Sequence, residues 1–283
     1  MKKVAFITDS TAYLDKAYTE AHQIKVVPLK LHWGEEIYKD NVDITADVFY
    51  TRLAKADKLP TTSQPSAGEF LEAYEEMADQ ADVLLVPLIS SGISGTVDSA
   101  LMAAKEFKKK PVHVIDSKVT SAGLALLVKA LVKAADKEVE VDDLLRLADR
   151  IIEDVRIYFV VDTLKFLHMG GRIGGASALL GSALDLKPIL TLTPEGKIDA
   201  LEKVRTKKKA LSRLIELAVE KADEKPAYTG VIHAQAAQEA EIIKSELEGK
   251  VTCVESETYV ISPVIGTHVG LGALAIAIHT VNH

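Results

Sequence analysis

Thr61, Thr62 and Ser63 stand in a row, followed by Gln64 and framed by Pro60 and Pro65. A connector needs only a few polar residues and a turn former. So many hydroxyls in so rigid a frame suit helix capping, catalysis or hydrogen bonding to a ligand. Ser66 takes the first task, because Glu69 follows it in the S-x-x-E pattern of a capping box. Phe70, Ala73, Tyr74 and Met77 then repeat at helical spacing. Thr62 lies outside that pattern. Ser94 does too: it sits between Gly92 and Gly95, ahead of regular helix. Glycines there permit tight turns and close approach of a ligand to the backbone.

Three hydroxyl-rich loops occupy similar places. The apolar run 3–8 leads into "TDST" (8–11), 82–88 into "ISSGISGT" (89–96), and 111–115 into "DSKVTSAG" (116–123). Each reads as strand, loop, helix. Ligands of open α/β sheets sit beyond the carboxyl ends of the strands, so the three loops are expected to converge on one anion. Each also fits plain capping, with Ser10 and Ser117 as helix caps. His268 falls in "SPVIGTHVGLGALAIAIH" (262–279), in a loop with Gly266, Gly270 and Gly272. The small apolar residues after it predict a narrow cavity, with His268 as a site residue. Arg172 falls in "FLHMGGRIGG" (166–175), which matches neither G-x-x-x-x-G-K-[ST] nor G-x-G-x-x-G. It reads as a turn with a solvent-facing arginine. The basic run "KVRTKKK" (203–209) reads as a solvated helix start.

Other chemistries lack their motifs. There is no G-x-S-x-G elbow, no H-E-x-x-H and no acidic-histidine cluster with metal spacing. Asp9 and Asp116 each follow a strand, where an Asp cap is expected, although the two could pair as carboxylates. A hydrolase reading stays open, with Ser94 as nucleophile and His268 as base, but no third residue is identifiable to orient the histidine.

These residues need a scaffold. The chain has 283 residues, 48% hydrophobic and 27% charged, enough for a substantial core. Aromatic residues are 5%, so aliphatic side chains must fill that core. A net charge of −7 favours neither nucleic-acid nor anionic-membrane binding. The single cysteine, Cys253, excludes an intrachain disulfide and fits a reducing cytoplasm. "MKKVAFITDSTAYL" offers four consecutive apolar residues, where a signal peptide needs about 7–15. The expectation is a cytoplasmic soluble protein.

Short apolar runs alternate with helical patterns, which argues α/β. Strands are predicted at 3–8, 24–31, 82–88, 111–115, 156–161, 187–193, 228–233 and 251–255. Helices are predicted at 45–57, 66–79, 97–108, 121–136, 141–154, 206–223, 236–247 and 268–279. "PEG" at 194–196 reads as a hairpin turn. A junction near 150–160 divides the chain into domains 1–155 and 156–283.

Seven segments together resemble the DegV family, the fatty-acid-binding proteins of bacteria. They are "TDST", "PTTSQPS", "SGISGT", "DS" after a strand, "GGRI", "KPIL…G.I" and "SPVIGTHVG.GAL", in the family's order and over nearly the whole chain. The resemblance implies two α/β domains with a lipid-binding tunnel between them. It implies a carrier with no catalytic residue, cofactor or metal, which presents a fatty acid to a separate ATP-dependent kinase subunit for acyl phosphate formation. By position, the carboxylate ligands fall on Thr62, Ser94 and His268. Ser63, Gly95, Thr96, Gly266 and Thr267 are further pocket positions, and Arg172 is the docking arginine. Val97 and Asp98 stand where many relatives have an aromatic residue and an amide, a departure that bears on pocket shape.

Overall fold

The structure is a computed structural model and describes residues 2–181 and 187–281. Along the first part run β1 (Val4–Asp9), a 3-10 turn (Ser10–Ala12), α1 (Lys16–Ala21), β2 (Lys25–Val27), β3 (Lys30–Trp33), β4 (Glu36–Lys39), α2 (Ala46–Leu53) and β5 (Thr61–Ser63). Then come α3 (Ala67–Ala78), β6 (Val83–Leu88), α4 (Thr96–Glu106), β7 (Val112–Asp116), α5 (Ser121–Ala135) and α6 (Val141–Asp154). The second part has β8 (Arg156–Val160), α7 (Lys165–Met169), a 3-10 segment (Gly174–Leu179), β9 (Lys187–Leu192), β10 (Ile198–Val204) and α8 (Lys207–Ala222). It continues with β11 (Ala227–His233), α9 (Ala237–Glu248), β12 (Cys253–Val260), α10 (Pro263–Val269) and β13 (Leu274–Thr280).

The α/β expectation holds. One sheet is parallel throughout, in the order β2-β1-β6-β7. Every residue of β6 is buried, as a parallel strand covered on both faces requires. Helices α3 and α4 cover one face, where Phe70, Tyr74 and Ala100 pack with Leu84 and Val86. The second sheet is mixed, in the order β10-β9-β8-β13-β11-β12. Its β9–β10 hairpin turns at 194–196, as predicted. Helices α8 and α9 close its outer face.

Helix α5 lies between the two sheets and touches β1, β6, β11 and β13. It is apolar almost all round, with Leu124, Leu127 and Leu131 fully buried, as a helix packed on several sides must be. The largest core cluster therefore spans both halves of the chain.

Two predicted elements differ. The run 24–31 is two short strands in different sheets, and β3 pairs with β4 and β5 in a small antiparallel sheet. The segment 268–279 is not a helix: α10 ends at Val269, and Leu274–Thr280 is a strand inside the mixed sheet. His268 accordingly sits on the last turn of a helix rather than in a loop.

Candidate functional site

The small sheet carries Thr62 to the interior. β5 pairs with β3, with Leu31 opposite Thr62, and Pro60 and Pro65 flank the strand. α10 starts with Ser262 as N-cap and Pro263 in the first turn, the position proline favours. It ends by presenting His268 to Thr62, with Nε2 and Thr62 Oγ1 2.8 Å apart. Gly170, which ends α7, is pressed against the other side of the ring. A Cβ there would lie 2.2 Å from His268 Nδ1, so only glycine fits.

His268 Nδ1 is buried without a hydrogen-bond partner. Burial, and then the charge of Arg172, lower the imidazole pKa from 6.5 to about 4. The ring is neutral at physiological pH. We assign its proton to Nε2, since a buried N–H left without an acceptor at Nδ1 is the costlier arrangement. Nε2–H then donates to Thr62 Oγ1, which leaves the Thr62 hydroxyl proton for a ligand.

Ser94 lies in the loop before α4. Its Oγ is 2.8 Å from Thr96 Oγ1, and Thr96 N donates to it at 3.4 Å. Arg172 differs from the sequence reading. It is half-buried, with Nε donating to Ile93 O at 3.1 Å and Nη1 to Gly170 O at 2.9 Å. Thr62, Ser94, Arg172 and His268 all line one cavity.

The rest of that cavity is mostly apolar, with walls that include Ile157, Phe159, Leu167, Ile232 and Ile261. Its free interior is about 90 Å³. Ala273 and Ala275, from the run after His268, stand in its wall beside larger Ile, Leu and Phe side chains.

The remaining candidates divide. Ser63 lines the cavity and bonds His32 Nε2 at 2.8 Å. Gly95 is the N-cap of α4, and Thr96 is fully buried beside Ser94. Thr267 Oγ1 donates to Pro263 O within α10, and Gly266 packs against Phe49 and Tyr50. These last four are not cavity-lining residues. Gln64, beside the Thr61–Ser63 hydroxyls, and Thr120 and Ser121, of the hydroxyl-rich loop 116–123, also line it. The backbone of Ser121 is unusual, with a φ of 54°, rare for serine.

The second and third hydroxyl loops both reach the cavity, through Ser94 and through Thr120 and Ser121, but the first does not. Thr8 donates to Pro87 O and Ser10 to Asp40, while Asp9 accepts from Ile89 N and Thr11. Ser10 is therefore not the cap of its turn; Asp9 is. Ser117 does not cap α5 but donates to Val119 O. Asp116 is held by Ser91 and Lys118, and Asp9 and Asp116 are not paired.

A hydrolase would need Ser94 on the histidine and a carboxylate behind the ring. Here His268 engages Thr62, Ser94 engages Thr96, and no carboxylate among the described residues reaches Nδ1. An imidazole held near pKa 4 is also a weak base. The arrangement supplies neutral donors at one end of an apolar slot. Among the described residues there is no cluster suited to a metal ion, and no helix is long and apolar enough to cross a membrane.

A family model described as "Uncharacterised protein, DegV family" matches residues 3–281. Protein DegV of Bacillus subtilis (strain 168) is 39% identical over 277 residues, covering 96% of this chain and 98% of its own. The crystal structure of DegV, a fatty acid binding protein from Bacillus subtilis, aligns with a TM-score of 0.92 at 36% identity, over 99% of this chain and 100% of that one. A structure describing fatty acid binding of a DegV family protein from Thermus thermophilus aligns with a TM-score of 0.94 at 31% identity, over 99% of this chain and 100% of that one.

Proposed function

The chain belongs to the DegV family, and we propose that it is a cytoplasmic carrier that binds a long-chain fatty acid and presents its carboxylate to a separate kinase subunit for acyl phosphate formation. One observation carries the reading: Thr62 and His268 place neutral hydrogen-bond donors at the end of a narrow apolar slot. Two solved relatives are described as binding fatty acids.

The energetics agree. Burying about fourteen methylenes at about 0.8 kcal/mol each gives roughly 11 kcal/mol before association costs. The carboxylate must be hydrogen-bonded, or its desolvation would cancel that gain. The Thr62 hydroxyl, oriented by His268, and the Ser94 hydroxyl serve as donors. Neither carries a full charge, so the carboxylate stays nucleophilic toward a phosphoryl donor. Arg172, held by two backbone carbonyls, adds positive potential beside this end without being the principal ligand.

The carrier itself performs no covalent step. Docking of the kinase subunit involves the surface around Arg172, and Arg172→Ala should slow acyl phosphate formation more than it weakens fatty-acid binding. The first experiment is native mass spectrometry of the protein purified from a bacterial host. A bound acyl mass is expected. A protein that carries none, and takes up no added palmitate or oleate, would overturn the reading.

A further inference from the structure

Beside the polar end of the slot lies a second, outer depression of about 290 Å³. Ile93, Ser94, Arg172 and Ile198 line both spaces, so the two are adjacent. Its remaining wall is mostly glycine (Gly92, Gly95, Gly171 and Gly174) together with Lys197. The β9–β10 turn fixes Lys197 there. Ser90 Oγ donates to Gly196 O at 2.9 Å, and a Cβ on Gly92 would lie 2.5 Å from that same carbonyl oxygen. Lys197 is exposed and makes no ion pair among the described residues. A glycine-walled space flanked by an arginine and an unpaired lysine suits a compact anion.

We propose that this depression is a phosphoryl pocket, which holds the phosphoryl group that the bound carboxylate acquires, with Lys197 and Arg172 as its two cations. The proposal rests on the carrier reading. In the transfer, a carboxylate oxygen forms a bond to the terminal phosphorus of a nucleoside triphosphate on the kinase. The bond from that phosphorus to its bridging oxygen breaks, and the electron pair leaves with the diphosphate. No proton is released, and the acyl end changes from one negative charge to two. The Thr62 and Ser94 hydroxyls serve a single charge. The second charge arises outside the slot, on the side where Lys197 stands. An acyl phosphate is then held by Lys197 as well, a cation that does not line the slot of a plain fatty acid.

The test compares two ligands on the full chain: palmitate, and 2-oxoheptadecylphosphonate, in which a methylene replaces the bridging oxygen of palmitoyl phosphate. Lys197→Met should weaken the phosphonate about tenfold and leave palmitate within about twofold. Lys197→Glu should widen that gap, and high salt should narrow it in the wild type. Lys197 is exposed, so both variants are expected to fold. An unchanged phosphonate-to-palmitate ratio in both variants overturns the phosphoryl pocket alone, as does a wild type that binds palmitate but not the phosphonate. A wild type that binds neither ligand overturns the carrier reading itself.

Discussion

Strands β1 and β6 are neighbours in one parallel sheet, and each ends in a loop rich in Ser and Thr. The loops have opposite fates. After β1, the side chains of Thr8, Asp9, Ser10 and Thr11 are 0–6% exposed and have protein partners. After β6, Ser90 and Ser91 are committed to Gly196 and Asp116, but Ser94 bonds only Thr96 and stands in a cavity wall. The difference is not composition. It is whether the fold supplies partners nearby. A hydroxyl whose partners are protein groups supports stability, and one that faces a slot is left for a ligand.

The largest expected effect tests the first loop. Asp9→Ala leaves Ile89 N and Thr11 N as buried donors without an acceptor. At about 1–3 kcal/mol each, and after relief of a buried carboxylate, the loss in unfolding free energy should be about 4 kcal/mol. A variant as stable as the wild type in urea would break the contrast.

The next effect concerns pH. Because His268 is held near pKa 4 against an ordinary 6.5, the unfolded chain takes up a proton that the folded chain refuses. The associated stability is whole above pH 6.5 and falls away as pH drops toward 4, by about 3 kcal/mol. Urea titrations at pH 7 and pH 4.5 should show that slope in the wild type and lose it in His268→Gln. Bound fatty acid should raise the imidazole pKa, readable by NMR, because a carboxylate favours the charged ring.

Thr62→Ala and Ser94→Ala should each weaken palmitate binding by about 1.5–3 kcal/mol in calorimetric titration, with stability changed by about 1 kcal/mol or less. If Ser94→Ala instead unfolds the protein and spares affinity, the second loop is structural like the first. The smallest effect sharpens the contrast within a single segment. Ser66 forms a complete capping box with Glu69, so Ser66→Ala should cost about 0.5–2 kcal/mol of stability with little change in affinity. Loss of binding without loss of stability would move Ser66 from cap to ligand.

The helical capping box was legible in sequence because its signal is local: four residues and a period of 3.6. Helix α5 was legible for the same reason, at 121–135 against an expected 121–136. Strand β13 was not. Its seven residues are all buried, so no polar face marks a period of two, and a continuous apolar run reads equally as helix or strand. The pairing of Thr62 with His268 spans 206 positions, and no local pattern encodes it. Motif resemblance brought the two together without saying that they touch. The inward reach of Arg172 was hidden because its partners are backbone carbonyls, which any sequence supplies.

The place of β13 also bears on association. It follows β11 and β12 in sequence, yet it lies between β8 and β11. Without it the sheet falls into two pieces, and β8 and β11 each present an unpaired edge. Such edges invite pairing with other chains. The slot wall supplied by Leu274 and Ala275 goes with the strand. One strand therefore both seals the sheet and completes the wall of the ligand site, so a lesion that frees it would cost binding and solubility together.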